Sequence, residues 1–400
     1  MKTLLTADIS NNYTLPLFDY PLWWVVCSID LVMYTGNVSY ADTYWSVLTK
    51  TLDGYYPDFI DTDTGLVVKP AEIDHGDYAF LPRSGPITYY NALYVHALRY
   101  AAQLATFLEK VEDSSRWEER ASSVAEGLLT HNFDTSVGAF YDGGPCPEEE
   151  EGTYCDVHAQ DGNSIAILYG VTNETLSNQI LDYWSEAASH PYGNAFYDSS
   201  VLSPDNRFDE RVYALMSYFE LAARMATPGQ QESAYDEIRR LYGWMASHDP
   251  EVTMWEGIGP DGGLYQGGFT SMAHGWSTGI VPVMSNYVLG VTPVEPGFAK
   301  WRVCPVVDGG GLTWAKGVVP TPGDGGGIKV SWVRNNVETG EVFTMGVEAP
   351  EDTEGVICVP SLGLEDATVT LDGEVVSEPG EGGAISLTVE GGSHKVAVSI

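Results

Sequence analysis

Apolar positions along this chain follow two rules in turn. From the start to about residue 290 they recur at three and four. In "YYNALYVHALRYAAQLATFLEK", Tyr90, Leu93, Tyr94, Ala97, Leu98, Ala101, Leu104, Ala105 and Leu108 form a broad helical face. "FDERVYALMSYFELAARM" repeats the pattern with Val212, Leu215, Met216 and Phe219, and Asp209 and Glu210 stand where a helix N-terminus favours acids. The spacing predicts nine helices, over 18–34, 39–55, 87–109, 113–131, 160–170, 174–188, 207–226, 230–247 and 270–289. Beyond residue 290 the rule becomes short β-branched runs between Gly, Pro and Asp turns: "GGIKVSWVRNN", "EVFTMGVEAP", "GVICVPS", "ATVTLDG" and "KVAVSI". That predicts a C-terminal antiparallel β-sandwich over 291–400.

The helices alternate in character. Helix 18–34 is apolar nearly all round, so it reads as buried. Helix 113–131 carries one stripe, Trp117, Ala121, Val124 and Leu128, against a charged face, so it reads as outer. Such alternation suits a ring of helical hairpins, with inner helices covered by outer ones. Loops such as "HGDYAFLPRSGPI" and "DVHAQDG" then gather at one mouth. The fold class expected is mainly α, an (α/α) helical-hairpin domain over 1–290 followed by the sandwich.

Charge narrows the partners. A formal net charge of −37 repels nucleic acid, anionic membrane surfaces and polyuronates. No apolar run approaches a membrane span. Tyr and Trp number 24 and 11 against 12 Phe, which favours rings with one flat apolar face and one polar edge. These suit sugar faces, and they suit helix packing equally. Five cysteines leave the compartment open: Cys146 and Cys155 could close a short loop around "PEEEEGTY", Cys304 and Cys358 could also pair, and Cys27, in an apolar helix, reads as a buried thiol. Sequons at Asn12, Asn37 and Asn173 are compatible with secretion, though no signal peptide is visible.

The chemistry concentrates in "TMWEGIGPDGGLYQGGFTSMAHGWSTG", Thr253 to Gly279. Glu256 beside Trp255 is a candidate general base, because apolar neighbours hold a carboxylate and can raise its pKa. Glycines 257, 259, 262, 263, 267 and 268 let the backbone turn sharply and approach a ligand. His274, opening the next helix, could donate to a hydroxyl. The plain alternative is a surface acid and a hydrogen-bonded cap. Asp77 and Tyr78, in "HGDYAF", could bind vicinal hydroxyls and stack on a ring, or form an ordinary turn. Asp19, in "FDYPLWW", reads locally as an N-cap, with Trp23 and Trp24 in the core. "YGNAFYDS" and "HAQDGNS" read as packing and capping. No dinucleotide, P-loop, HExxH, paired CxxC or G-x-S-x-G pattern occurs, so neither cofactor nor metal is indicated.

Four stretches carry a family resemblance. "FDYPLWWVVCSIDLVMYTGN", "HGDYAFLPRSGPITYYNALYVHALRYAAQLA", "TMWEGI" and "SMAHGWSTG" resemble segments of the α-L-rhamnosidases of glycoside hydrolase family 78, which are six-hairpin glycosidases. The resemblance covers essentially the whole chain. It implies an (α/α) toroid and inverting hydrolysis of terminal α-L-rhamnose from glycosides or plant polysaccharide. It implies Glu256 as the base that activates water, and Asp77 and His274 binding sugar hydroxyls. Tyr78 stands where the family has Trp. Asp19 falls near the sugar, and Trp255 and Trp276 wall the pocket. In its full-length form such an enzyme is extracellular.

The family's general acid lies in an Arg-Asp/Glu-Arg…Trp-x-Gly-Asp motif, and nothing here matches it. Six hairpins need twelve helices, and nine are read. Both counts lead to the expectation of a member shortened by about three N-terminal helices, an incomplete barrel with exposed apolar faces on its first and last helices. Two other readings compete: a non-catalytic carbohydrate-binding relative, and another six-hairpin exo-glycosidase or polysaccharide lyase. The acidic charge disfavours a lyase of uronate chains.

Overall fold

A computed structural model describes residues 17–400, leaving out 74–76, 79–80, 82, 147–153, 203, 250–252, 324–325, 336–339, 361, 363, 365–366 and 378–384. The chain divides into two compact units. The first comprises residues up to Ile29 and Ala41–Gly279; the second comprises Asp30–Tyr40 and Ile280–Ile400. Of the loop at 75–80 only Asp77 and Tyr78 are described. The acidic stretch between Cys146 and Cys155 lies largely outside the described residues.

In the first unit, the long helices are α1 (Tyr20–Thr35) and α2 (Val38–Thr49), both shared with the second unit, then α3 (Thr88–Phe107), α4 (Val111–His131), α5 (Gln160–Leu168), α6 (Glu174–Ala187), α7 (Ala214–Ala226) and α8 (Gln231–His248). Helices α3 and α5 pack together, as do α5 and α7. Each of the three carries its successor as an outer partner: α4 on α3, α6 on α5, α8 on α7. The sequence dictates this division. Helix α3 is buried on nearly every side from Thr88 to Leu98. Helix α4 buries only the stripe through Trp117, Ala121, Val124 and Leu128. Helix α1 sets Trp23 against Tyr89 of α3 and Phe219 of α7, so an inner row takes shape around aromatic contacts. Two hairpins, β1 (Phe133–Asp134) with β2 (Ala139–Phe140) and β3 (Ser189–His190) with β4 (Gly193–Asn194), follow α4 and α6.

Several expectations are corrected. Helix α1 is not buried all round: Tyr20, Cys27 and Leu31 are exposed, Cys27 included, because they share the one side of the helix that the described residues leave uncovered. Helix α7 starts at Ala214, not 207, because Arg207 takes a left-handed φ of 51° and Tyr213 is extended. The span 270–289 is no single helix. It is helical only from Gly275 and changes type along its length, as a 3₁₀ stretch at Gly275–Gly279, the short α9 at Ile280–Val283 and a π turn at Met284–Val288.

The second unit is built on two long strands, β9 (Glu341–Val359) and β12 (Ile385–Ser399), paired along their length. One end of β9 pairs β8 (Ile328–Arg334), which pairs β7 (Trp314–Val319). Its other end pairs β6 (Lys300–Val303), beside β5 (Val291–Pro293). Strands β10 (Thr368–Leu371) and β11 (Glu374–Ser377) extend β12. The eight strands form one hydrogen-bonded sheet, and the pairing of β6 with β9 is parallel, a departure from the purely antiparallel sandwich expected. Parallel neighbours need a long crossover connection, and the segment carrying β7 and β8 supplies it here. Disulfides join Cys146 to Cys155 and Cys304 to Cys358.

At the β6–β9 pair, Trp301 is fully buried opposite Gly355, with Nε1 donating to Thr353 Oγ1 at 2.9 Å. A Cβ on Gly355 would meet the indole at 2.3 Å. Gly355→Ala is therefore expected to lower stability by about 1–3 kcal/mol, the usual cost of overpacking. A thermal midpoint unchanged in this variant would show that the indole has room to move.

Candidate active site

The loop after α8 enters the core at Trp255. This side chain is 4% exposed, packs among Tyr192, Val212, Leu241, Met245 and Ile258, and donates from Nε1 to Asp249 Oδ2 at 3.2 Å. Val212 and Ile258 exchange backbone hydrogen bonds of 2.9 Å each, which fixes the segment beside the start of α7. A Cβ at Gly257 would sit 2.9 Å from the Val212 carbonyl, so only glycine permits this approach. In an extended segment successive side chains point to opposite sides. With Trp255 turned inward, Glu256 is half-exposed.

Glu256 is clasped by the return of its own loop. Its N–H donates to Ser271 O at 2.9 Å, and Ser271 N–H donates to Glu256 Oε2 at 2.9 Å. Trp276 Nε1 donates to Glu256 O at 2.8 Å, and Ser277 Oγ to Trp255 O at 2.5 Å. Glu256 Oε1 meets no protein donor among the described residues. His274 is half-buried, with its N–H on Met254 O at 2.8 Å and its Nδ1 accepting from Trp276 N at 3.2 Å. The imidazole and indole centroids lie 4.4 Å apart.

Tyr78 joins this loop to the other predicted residues. Its ring meets Trp276 edge-on at 6.4 Å and Tyr89 at 5.7 Å, and its hydroxyl donates to Asp161 Oδ2 at 3.1 Å. Asp77 is fully buried. It accepts from Leu81 N at 3.1 Å, from Arg83 Nη1 at 3.3 Å and from Tyr90 Oη at 3.3 Å. Asp19 is also fully buried. Its carbonyl, not its carboxylate, receives the first helical N–H groups of α1, while Tyr89 Oη donates to Oδ2 at 2.8 Å. Asp19 Oδ1 has no partner among the described residues. Burial first, then the charge of Asp77, pushes the Asp19 pKa far above the carboxylate range.

Under these residues lies a group that sequence reasoning missed. Arg83, 2% exposed, makes a two-pronged pair with Asp161 (Nη1–Oδ2 2.8 Å, Nη2–Oδ1 3.0 Å). It reaches Asp142 Oδ1 at 2.6 Å and Tyr197 Oη at 3.2 Å. Its guanidinium faces the Tyr89 and Phe196 rings at 5.4 Å each. One cation thus serves three buried carboxylates. Burial lifts the Asp142 pKa to about 6, opposed by Arg83 and aided by Asp161. The signal in sequence was slight: an arginine in the apolar, turn-rich "FLPRSGP". "HAQDGNS", read as packing and capping, supplies the bidentate partner Asp161.

The structure therefore links Glu256, His274, Trp276 and Tyr78 by direct contact, sets Asp77 next in chain and Asp19 one tyrosine away, and turns Trp255 into the core.

Comparison with known proteins bears on the fold and on what the chain resembles. Residues 290–374 match the family model of the bacterial alpha-L-rhamnosidase C-terminal domain. The chain is similar to a family 78 rhamnosidase of Bacillus sp. GL1, 26% identical with a TM-score of 0.66, over 88% of this chain and 35% of that one. It shares its fold with the α-L-rhamnosidase of Dictyoglumus thermophilum (16% identity, TM-score 0.69, 96% and 40% covered). It does so too with that of Streptomyces avermitilis in complex with L-rhamnose (19%, 0.62, 93% and 32%). An N,N'-diacetylchitobiose phosphorylase of Vibrio proteolyticus is 26% identical over 49% of this chain and 26% of its own length. The class is a helical domain joined to a β domain of the glycoside hydrolase kind. Within it, the chain is a family 78 rhamnosidase-like protein. It spans between about a third and two fifths of the length of those rhamnosidase structures.

Removing the buried cation tests its role. Arg83→Met leaves Asp77, Asp142 and Asp161 without their counter-charge, and is expected to cost about 3–5 kcal/mol near neutral pH. Without the guanidinium these carboxyls titrate higher in the folded state than unfolded. The penalty is then present at neutral pH and fades as they take up protons toward pH 4. Thermal midpoints at pH 4.5 and 7.5 should show a narrower gap from the unsubstituted protein at the lower pH. A gap that is equal or wider there would contradict this account.

Proposed function

We propose that this chain acts on terminal α-L-rhamnose, with Glu256 as the base of an inverting hydrolysis. The helical part (1–290) would be the catalytic domain of an (α/α) toroid and 291–400 its β-sandwich. One observation carries the reading. The Glu256 carboxylate stands at the surface of a rigid loop with one oxygen held by Ser271 and the other open, beside Trp276 and His274. A base that activates water needs a fixed position and a free lone pair. Trp276 and His274 offer a flat ring and a ring nitrogen of the kind that bind a deoxysugar face and its hydroxyls. Inversion further requires a second carboxyl across the bond with room for a water between them. No residue of this chain matches the family's motif for that acid.

A second reading, a sugar-binding relative without turnover, draws on the lack of a match to the acid motif: the sugar pocket would be kept and the acid not.

The test combines titration of L-rhamnose with release of rhamnose from an aryl α-L-rhamnoside. Saturable binding and hydrolysis are expected, with Glu256→Gln retaining binding and losing about 10²–10⁴-fold in turnover. Binding without hydrolysis in the unsubstituted chain selects the second reading. Absence of both overturns the two together, and an active Glu256→Gln overturns the assignment of the base.

A further inference from the structure

The hairpin after α4 and the segment before α5 bring a second set of polar groups together. Asp134, Asp156 and His158 each offer one ligand atom, and these atoms lie within 4.8 Å of one another. His158 and Asp134 are 1% and 5% exposed, while Asp156 is exposed and open to solvent.

The orientation of His158 is set from behind. Its Nδ1 lies 2.6 Å from Asp198 Oδ2, and its backbone N–H donates to Asp198 Oδ1 at 2.9 Å. Tyr183 Oη donates to the same Oδ2 at 2.6 Å. A carboxylate in that position accepts, so a ring proton belongs on Nδ1, and Nε2 is the nitrogen that faces forward. The Tyr141 ring stacks on the imidazole at 5.2 Å and 20°, and Tyr183 meets it edge-on at 5.6 Å.

What Nε2 faces is Asp134 Oδ2, at 3.3 Å. The other Asp134 oxygen already accepts from Ser136 N at 2.8 Å. Either a second ring proton or a bound cation can stand between these two atoms. Distance discriminates between the possible centres. A charge-assisted N–H···O bond is about 2.7–2.9 Å long, and the Asp198 contact on the other ring nitrogen is of that short kind. Two ligands of one tetrahedral zinc, with bonds of about 2.0–2.2 Å, stand roughly 3.3–3.5 Å apart.

We propose that Asp134, Asp156 and His158 bind a divalent transition-metal cation of the Zn²⁺ type, with Asp198 orienting the histidine. A carboxylate behind a metal-bound histidine is the usual supporting arrangement. Three protein ligands leave a fourth position to water or a ligand. Calcium fits less well, since it takes six to eight oxygens. The ligands come from the β1–β2 hairpin and from a distant loop, so no short spacing motif announces them, and the expectation of no metal drawn from motifs does not reach this site. The proposal is independent of the rhamnoside reading.

The experiment is titration of the metal-stripped full chain with Zn²⁺, followed by calorimetry and by thermal midpoint. One Zn²⁺ per chain and a raised midpoint are expected. Asp156→Asn, a change at an exposed residue that leaves the core intact, should weaken binding at least tenfold, and His158→Gln should abolish it. Asp198→Asn should cost 10–100-fold, as loss of an outer partner does. If the unsubstituted chain binds no Zn²⁺ saturably, or binds it equally well as Asp156→Asn, the proposal is wrong. In that case nitrogen-15 shifts of the His158 ring would report protons on both nitrogens, an imidazolium filling the same place. If His158→Gln does not fold, the Asp156→Asn comparison alone decides.

Discussion

A single guanidinium, buried among carboxylates, organises the interior of the helical unit. Arg83 holds Asp77 from its own loop, Asp142 from beyond the β1–β2 hairpin and Asp161 from the first turn of α5. Taking any one of those charges out of water alone would cost several kcal/mol. Sharing one cation lets three loops meet in a dry space lined by Tyr89, Phe196 and Tyr197. Such an arrangement contributes little net stability compared with a hydrophobic filling. It does impose geometry, because a guanidinium presents its donors in a rigid plane. Tyr78 follows Asp77 directly, so its ring direction, and through it the contact with Trp276, is inherited from the ion cluster.

The helical rule was plain in the sequence because inner and outer helices obey different burial. Helix α3 accepts apolar residues on every side, while α4 keeps one stripe, and both patterns survive in the fold. Strands β8 and β9 were legible for the same reason, as β-branched runs between turns, whereas the sequence left both cysteine pairings open and Cys304 meets Cys358 across 54 residues. Residues 270–289 misled because they are apolar without periodicity, and the stretch is helical only from Gly275 and changes type along its length. Trp255 misled in another way. It adjoins the candidate base, yet adjacent residues of an extended segment face opposite sides, so the indole packs inside and Trp276 supplies the ring beside Glu256. Arg83 was invisible because its two nearest carboxylate partners, Asp142 and Asp161, lie 59 and 78 residues away, and no periodicity links them.

The Glu256 loop shows how a reactive carboxylate is made rigid without being buried. Its backbone is tied to Ser271, its carbonyl to the Trp276 indole and its neighbour's carbonyl to Ser277. Thr253 adds a further tie, from its hydroxyl to the Met272 carbonyl. The loop thus holds the side chain by main-chain bonds that substitution of the acid leaves in place. Asp77 and Asp19, by contrast, are fully buried and fixed by tyrosines. Their effect on a bound sugar would pass through Tyr78 and Tyr89 rather than through direct contact.

Scarcity of positive charge explains why the interior takes this form. The chain has 56 acidic residues and 19 Lys and Arg, so buried acids compete for few cations. Three solutions coexist. Arg83 neutralises by pairing. At Asp19 and Glu237 burial first, then Asp77 and Glu220 respectively, raises the pKa and favours the neutral form, and Glu237 also meets Arg240 at 2.8 Å. At Asp134 and Asp198 the imidazole of His158 stands between two carboxylates. The Arg83 and His158 clusters are not remote from each other. Asp142 N–H donates to Val157 O at 2.8 Å, and Tyr141 bridges to His158. The backbone that presents Asp142 to Arg83 is therefore the backbone that carries the histidine. The Arg83 cluster and the Asp134–His158 pair thus draw on one stretch of backbone, so the geometry of each is fixed by the same main-chain bonds.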